Sequence, residues 1–240
     1  MELRNSRAIV TGGASGLGAA TATWFREQGV TVVILDRDAG DDPNHVQADV
    51  TSADSTAAAI AQAVDRMGGI DICVNCAGVV IGERTVGRNG PHDLDAFRRV
   101  VDVNLIGSFN VLRLAAAEMA GNGRTENGVI VNTASVAAFD GQKGQAAYAA
   151  SKAAIAGMTL PLARDLAGLG IRVCAIAPGI FATPMLRGLP PDVQDGLAAE
   201  VTFPPRLGDP REFARMAAHI VENAYLNGEV IRLDGALRMR

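Results

Sequence analysis

The stretch Arg7–Asp36, RAIVTGGASGLGAATATWFREQGVTVVILD, decides the fold of this chain. A short apolar run, Arg7–Val10, leads into a cluster of glycines, and the amphipathic run Ala19–Gln28 follows. A second run of β-branched residues, Val30–Leu35, ends at Asp36. This order predicts a strand, a glycine-rich turn, a helix and a second strand, which together form a βαβ unit.

The same alternation continues to the end of the 240-residue chain. Further predicted strands are Val46–Ala48, Ile70–Val74, Gly128–Val131, Ile171–Ala177 and Glu229–Leu233. Predicted helices are Ser52–Met67 with Ser52 as N-cap, Leu94–Ala120, Gln145–Leu169 and Pro210–Asn223. We therefore predict one Rossmann-type doubly wound α/β domain over residues 1–240, with about seven mostly parallel strands and helices on both faces.

The bulk composition excludes several classes of protein. With 48% hydrophobic and 20% charged residues, the chain has enough apolar side chains for one large core. The net charge of −4 argues against a broad surface for nucleic acid or anionic membranes. Its longest apolar stretches carry Lys152 or Pro161, or are too short to span a bilayer. The first strand begins within a few residues, which leaves no room for a signal peptide, so we expect a cytoplasmic location.

Cysteine and histidine usage points to no metal or disulfide chemistry. Three cysteines do not suggest a disulfide scaffold, and the three histidines are scattered without the spacing of metal ligands. The pair Cys73 and Cys76 has the spacing of a redox motif, but it falls at a strand end and not at a helix start. We expect no metal site.

The glycine cluster TGGASGLG, residues 11–18, predicts a site for a dinucleotide. Glycines at 12, 16 and 18 let the backbone turn sharply and approach a pyrophosphate at the N-terminus of the helix. Asp36 ends the next strand, where a carboxylate accepts from the adenosine ribose hydroxyls and repels a 2′-phosphate. That favours NAD over NADP. Arg37 keeps NADP open because a guanidinium can attract the phosphate, unless it is only a solvated turn residue.

A second group of polar residues lies in the stretch 132–152, NTASVAAFDGQKGQAAYAASK. Tyr148 and Lys152 are four apart in an alanine-rich run, so they share one helix face. A nearby ammonium favours the phenolate and lowers the pKa of a tyrosine, which makes the pair a candidate general acid/base. Ser135, just past an apolar run, can donate to an oxygen that gains charge. The alternative is a solvated helix face with no chemistry.

The helix that carries this pair has two further features. Pro161 removes a backbone hydrogen bond and predicts a bend or interruption. Small residues from Ala153 to Gly157 predict that something packs closely against it, either within the chain or at a subunit contact.

These motifs form one series with Asn75-Cys76-Ala77-Gly78, Asn104 and Pro178-Gly179. The series resembles the short-chain dehydrogenase/reductase family over essentially the whole chain. Within that family, VDVNLIGSFNVLRL at 101–114 and LNGEVIRLDGALRM at 226–239 resemble the type II 3-hydroxyacyl-CoA dehydrogenases. One departure is Cys76, where the family usually has a second Asn, and the type II enzymes share that departure.

The resemblance implies an NAD-binding site whose residues come from all parts of the chain. They are Gly12, Ser15, Gly16, Leu17, Gly18, Asp36, Asp49, Val50, Cys76, Ala77, Gly78, Tyr148, Lys152, Pro178, Gly179, Phe181 and Thr183. Asp49 and Val50 would flank the adenine, and Phe181 and Thr183 would contact the nicotinamide end. The resemblance also implies a homotetramer.

The resemblance also implies the roles of the catalytic residues. Tyr148 would exchange a proton with a secondary alcohol or ketone while hydride moves to or from NAD. Ser135 would hold the substrate oxygen, Lys152 would stabilise the phenolate, and Asn104 would anchor a water that relays protons. Gln142 would line the substrate pocket.

The substrate expected from the resemblance is a small molecule of fatty acid metabolism, 3-hydroxyacyl-CoA or 3-oxoacyl-CoA. Two alternatives are an NADPH-dependent 3-oxoacyl carrier-protein reductase and a hydroxysteroid dehydrogenase. A cofactor-binding regulator without activity would be expected to lack Ser135, Tyr148 or Lys152, and all three are present.

The long connection at about 178–209 predicts a substrate lid. It is too apolar for disorder, its glycines and prolines can act as hinges, and a helix is expected around Asp192–Glu200. Across the mouth of the site, the segment Val79–Leu94 offers Arg84 and Arg88 for the phosphates of coenzyme A, unless both are merely solvated.

Overall fold

The computed structural model describes residues 1–38, 40, 42–88, 90–188 and 190–239. Its strands are β1 Arg7–Thr11, β2 Thr31–Asp36, β3 His45–Gln47, β4 Ile72–Asn75, β5 Val86–Gly87, β6 Gly90–Pro91, β7 Gly128–Thr133, β8 Ile171–Pro178 and β9 Val230–Leu233. Its α-helices are α1 Gly16–Glu27, α2 Ala53–Met67, α3 Leu94–Val101, α4 Ser108–Ala120, α5 Ala146–Ala167, α6 Pro184–Arg187, α7 Pro191–Ala199 and α8 Pro210–Glu222. A π-helical turn, Asp102–Gly107, joins α3 to α4, and a 3₁₀ turn covers Val136–Ala138.

The main sheet confirms the predicted doubly wound fold. In the described part of the chain it has seven strands in the order β3-β2-β1-β4-β7-β8-β9, and every neighbouring pair is parallel. The order reverses between β1 and β4, where Thr11 pairs with Asn75. Because parallel strands all end at the same edge, this switch point is where such a sheet binds ligands.

The core lies on both faces of the sheet. On one face, α1 and α8 bury Phe25 and Phe213 against the strands, and on the other face α2 and α4 bury Ile60, Leu112 and Met119. Strand β8 is buried along its whole length, as expected for a parallel strand covered on both faces. Each fully buried side chain of this size contributes about 1.5–3 kcal/mol.

The predicted helix Leu94–Ala120 has the bounds that were expected, divided by the π-helical turn. Among the described residues it is the one helix long and apolar enough to cross a membrane, so the expectation that no stretch reached that length was wrong. Half of its most apolar window is buried inside the domain. A helix that packs in the core of a domain can have the same length and apolar composition as a membrane-spanning helix.

The helix α5 continues through Pro161, so the interruption did not occur, and the bend that was the other expectation stays a prediction. A proline removes only one intrahelical hydrogen bond, and the neighbouring turns keep the others. The antiparallel ribbon β5–β6 was not predicted, because two-residue strands show no periodicity.

The segment 178–209 contains α6 and α7, and α7 covers most of the helix that was expected around Asp192–Glu200. No side chain of α7 is buried. Its assignment as a lid stays a prediction.

Candidate active site

A cleft of about 470 Å³ opens at the carboxyl ends of β1, β2 and β4. Twelve of the predicted cofactor residues line it: Gly12, Ser15, Gly16, Leu17, Gly18, Asp36, Asp49, Val50, Cys76, Ala77, Gly78 and Thr183. Its lining also includes Arg37, which the sequence analysis weighed for NADP, and residues that the sequence reasoning missed: Leu35, Asp38, Ala48, Val79, Val103 and Pro184. The cleft therefore gathers segments that are far apart in the sequence.

The glycine loop shows why these positions need glycine. Gly12 has φ +64°, and a Cβ there would lie 2.8 Å from the backbone nitrogen of Ala77. A Cβ on Gly18 would collide with the carbonyl of Gly12. Ser15 is the N-cap of α1, but its side chain makes no capping hydrogen bond. The N–H groups of the first helical turn thus remain available for a phosphate, which fits a dinucleotide.

The carboxylate of Asp36 closes the cleft at the end of β2. Its Oδ2 accepts from the backbone N–H of Ala14 at 3.0 Å, and its Oδ1 accepts from that of Asp38 at 3.2 Å. The side chain of Arg37 is 65% exposed, and its Nε lies 3.6 Å from a carboxylate oxygen of Asp38. Asp36 is therefore held in place at the cleft, whereas Arg37 extends into solvent.

Thr11, which the sequence reasoning did not single out, holds the switch point together. Its hydroxyl accepts from the backbone N–H groups of Cys76 and Ala77, both at 3.1 Å, and lies 3.4 Å from Oδ1 of Asn75. The sequence feature that could have indicated Thr11 is its position directly after the first apolar run, at the end of the first strand. This contact fixes the loop after β4 against the glycine loop.

Ser135, Tyr148 and Lys152 meet beside this cleft. Ser135 is buried at the start of the 3₁₀ turn, its hydroxyl accepts from the backbone N–H of Ala137 at 3.1 Å, and it lies close enough to the phenol of Tyr148 to act on its pKa. Lys152 is 5% exposed, and its Nζ donates to the carbonyl of Thr133 at 2.7 Å and lies 5.8 Å from the centroid of the Tyr148 ring. The helix spacing and the loop after β7 thus bring a hydroxyl, a phenol and an ammonium together.

Burial dominates the ionisation of these groups. It lowers the pKa of Lys152 to about 8 and raises the pKa of Tyr148, which the hydrogen bond from Ser135 opposes. The expectation that Lys152 lowers the pKa of Tyr148 is therefore not met, because the loss of solvent outweighs the other contacts of the phenol. Burial also raises the pKa of Cys76 to about 11, so its thiol stays protonated at neutral pH.

Asn104 lies in the π-helical turn and is fully buried. Its Nδ2 donates to the carbonyl of Val79 at 2.9 Å and to Oγ of Ser151 at 3.1 Å, and its Oδ1 accepts from the N–H of Val79 at 2.8 Å. A Cβ on Gly78 would lie 3.2 Å from Oδ1 of Asn104 and 3.7 Å from Nζ of Lys152. Both amide hydrogens are thereby used, and the main-chain carbonyl of Asn104 accepts from Oγ of Ser108 at 2.8 Å, so the predicted water contact stays a prediction.

Five predicted cofactor residues lie outside the lining of the cleft: Tyr148 and Lys152, which stand beside it, and Pro178, Gly179 and Phe181. The ring of Phe181 packs against Gly208 and lines a separate cavity, so its predicted contact with the cofactor stays a prediction. Pro178 ends β8, and Gly179 packs against Asp234.

Gln142 lies in the loop between the 3₁₀ turn and α5. Its Oε1 accepts from Nε2 of Gln145 at 3.2 Å. A substrate contact of Gln142 stays a prediction.

A nucleotide cleft at the switch point of a parallel sheet, beside a serine, a tyrosine and a buried lysine, is the arrangement of a nicotinamide-dependent oxidoreductase. The family model described as short chain dehydrogenase matches residues 6–194, and the chain belongs to this family. The family that the motifs predicted is thus confirmed.

Relatives cover nearly the whole chain. The 3-hydroxyacyl-CoA dehydrogenase type-2 of Bos taurus is 52% identical over 97% of this chain and 95% of its own length. The protein of that name from Drosophila melanogaster is 51% identical over 99% of each chain. A 3-oxoacyl-[acyl-carrier-protein] reductase of Thermotoga maritima is 36% identical over 99% of each. The crystal structure of 3-hydroxyacyl-CoA dehydrogenase type-2 from Mycobacterium avium has a TM-score of 0.93 and 42% identity, covering 98% of this chain and 97% of that one.

Proposed function

We propose that this oxidoreductase interconverts 3-hydroxyacyl-CoA and 3-oxoacyl-CoA and uses NAD(H). The observation that carries the chemistry is that Ser135, Tyr148 and the buried Lys152 come together beside the cleft, with Nζ of Lys152 lying 5.8 Å from the centroid of the Tyr148 ring. Relatives about half identical over nearly their full length bear the name of this activity, which supports the substrate. The proposal includes a place in fatty acid metabolism.

Each residue of the site has a separate role in the proposed reaction. The bound nicotinamide would supply or accept the hydride. Tyr148 is the proton donor to the ketone oxygen, and its raised pKa keeps the phenol protonated at neutral pH. Ser135 donates to the same oxygen as negative charge develops on it. Lys152 carries its charge below a pKa of about 8 and stabilises the phenolate that is left.

The choice of NAD over NADP rests on Asp36. Its carboxylate is held at the cleft by Ala14 and Asp38, so a 2′-phosphate would approach a fixed negative charge. Arg37 is the observation that favours the second candidate, an NADPH-dependent 3-oxoacyl carrier-protein reductase, because the cleft lining includes it. Its ion pair with Asp38 supports the first candidate.

Recognition of coenzyme A is proposed for Arg84 and Arg88. Both are exposed, and neither forms an ion pair within the described ranges. The backbone N–H of Glu83 donates to the carbonyl of Gly144 at 2.7 Å, which brings this segment against the loop that carries Gln142. The arginines therefore stand beside the expected substrate entrance, where phosphates can be bound.

A homotetramer is also proposed. The described surface exposes large apolar side chains on neighbouring helices, among them Phe109 on α4 and Leu160 on α5. Leu169, just past α5, is exposed as well. Such a patch is typical of a contact between subunits.

Steady-state kinetics with three substrates and two cofactors tests the proposal. Acetoacetyl-CoA, an acetoacetyl carrier protein and a ketosteroid are each reduced with NADH and with NADPH. We expect the highest kcat/KM for acetoacetyl-CoA with NADH. A higher value for the carrier protein with NADPH would support the second candidate instead.

A further inference from the structure

Arg232 in β9 contacts the loop at residues 139–140 and the segment that follows β9. Its Nη2 and Nη1 donate to the carboxylate of Asp140 at 2.6 and 3.2 Å. Its Nε donates to Asp234 at 2.8 Å, and Nη2 also donates to the carbonyl of Leu237 at 3.0 Å. The guanidinium carbon lies 5.6 Å from the centroid of the Phe139 ring. All these partners lie outside the lining of the nucleotide cleft.

The ion pair at the centre of this cluster is partly buried, so solvent screens it less than a fully exposed ion pair. The side chain of Arg232 is 23% exposed and that of Asp140 is 15% exposed. The hydrogen bonds from Arg232 lower the pKa of Asp140, which therefore stays charged at neutral pH. A planar guanidinium binds a carboxylate with two parallel hydrogen bonds and still has donors for other partners, which a lysine cannot reproduce.

The loop that Arg232 holds leads into the reacting groups. Asp140 lies between the 3₁₀ turn that begins at Ser135 and the start of α5, which carries Tyr148. On its other side, the carbonyl of Gly144 accepts from Glu83. The loop 139–145 is thus fastened at two points, once to the segment before α3 and once to β9.

The residues next to Arg232 also support both ends of the segment 178–209. A Cβ on Gly179 would lie 2.9 Å from Asp234, which shows how closely the two backbones approach. At the other end, the carbonyl of Gly235 accepts from the N–H of Phe203 at 3.1 Å. The hydroxyl of Thr202 donates to the carbonyl of Ala236 at 3.2 Å. The segment after β9 therefore contacts both ends of the segment 178–209.

We propose that Arg232 is a positioning residue for the acyl substrate. By binding Asp140 and stacking on Phe139, it fixes the loop 139–145 relative to the segment 178–209. It thereby sets how a substrate approaches Ser135 without touching the nucleotide site. The inference deepens the proposed function and rests on it for the nature of the substrate.

The test compares four variants: Arg232→Met, Arg232→Lys, Asp140→Asn and the matched control Arg211→Met. Arg211 on α8 also binds a carboxylate with two hydrogen bonds, to Glu27 at 2.7 and 3.2 Å, and lies 5.0 Å over the ring of Trp24. Its partners Glu27 and Trp24 both lie on α1, so losing the same kinds of contact there leaves the contacts of the loop 139–145 in place. For each variant we would measure kcat/KM for acetoacetyl-CoA, the Kd of NADH, and hydrogen exchange of the loop 139–145.

For Arg232→Met we expect a fall of about 10–100-fold in kcat/KM, since small misplacements of a substrate are costly. The Kd of NADH should stay within about twofold, and exchange of the loop should rise. Arg232→Lys should recover part of the activity, Asp140→Asn should show a smaller loss in the same direction, and Arg211→Met should resemble the parent.

Parent-like kcat/KM and exchange in Arg232→Met would overturn the proposal, and so would a parallel loss of NADH binding, which indicates a general structural role. If Arg232→Met does not fold, Asp140→Asn decides by the same measurements. If the parent does not reduce acetoacetyl-CoA, the proposed function fails. The exchange comparison needs no substrate and still decides the role of Arg232.

Discussion

Lys152 should make the free energy of unfolding of this protein depend on pH, and replacing Lys152 should remove that dependence. The amine is buried, and burial lowers its pKa from 10.5 to about 8. At about 1.4 kcal/mol for each pH unit, keeping Lys152 charged in the folded protein costs about 3 kcal/mol relative to the unfolded chain. Lys152→Met removes the charge and keeps an unbranched side chain.

The direction follows from proton binding. Between pH 8 and 10.5 the unfolded chain binds more protons at this lysine than the folded protein does, so its contribution makes the parent more stable as pH rises. The variant lacks this contribution. The free energy of unfolding of the variant minus that of the parent should therefore fall by about 2–3 kcal/mol between pH 7 and pH 10.

The prediction concerns how the difference in free energy of unfolding between variant and parent changes with pH, and not its size at any single pH. Methionine leaves the carbonyl of Thr133 without the hydrogen bond that Nζ of Lys152 donates at 2.7 Å. An unsatisfied buried acceptor costs about 1–3 kcal/mol, and this cost is the same at every pH. Only the change of the difference with pH reports the ionisation of Lys152.

Urea unfolding followed by circular dichroism, at pH 7, 8, 9 and 10 and one fixed protein concentration, measures this difference. Lys143→Met is the matched control, because Lys143 is the only other lysine in the sequence and is exposed. The control should show no such trend. A difference that stays flat from pH 7 to 10 for Lys152→Met would refute the argument from burial.

Three further substitutions test the site. Tyr148→Phe should lower kcat by about 10²–10⁴-fold and leave NADH binding unchanged in a fluorescence titration, and a variant that retains more than about a tenth of the parent kcat would contradict the role of Tyr148 as acid/base. Asp36→Asn should narrow the preference for NADH over NADPH through KM, and a parent enzyme that prefers NADPH would show that Arg37 governs the choice. Arg84→Ala combined with Arg88→Ala should raise KM for acetoacetyl-CoA but not for its pantetheine analogue. Equal kcat/KM for the two thioesters in the parent would exclude recognition of the nucleotide part of coenzyme A.

Most of the fold could be predicted because its signals are local. Strand β1, the N-cap Ser52 and the helix Leu94–Ala120 each follow from a few consecutive residues. The glycine loop could also be predicted, because a backbone that turns sharply at a helix start requires glycine whatever the rest of the chain does.

The parts that were missed depend on contacts between distant residues. Thr11 contacts the loop after β4, 65 residues away at Cys76, and Arg232 binds Asp140 at a separation of 92 residues. Neither the hydrophobic period nor the spacing of residues along the sequence predicts such pairs. The direction of the pKa of Tyr148 was missed for a related reason, because the spacing shows that Lys152 is near but not that solvent is absent.

The sequence by itself determined that strands and helices alternate, that a glycine loop follows the first strand, and that Tyr148 and Lys152 share a helix face. These are properties of consecutive residues, since each depends on local backbone conformation. Only the tertiary structure decided the strand order, the burial that governs the ionisation of Lys152 and Tyr148, and the ion pair between Arg232 and Asp140. Those properties arise when the parallel sheet brings the ends of distant strands to one edge and excludes water there.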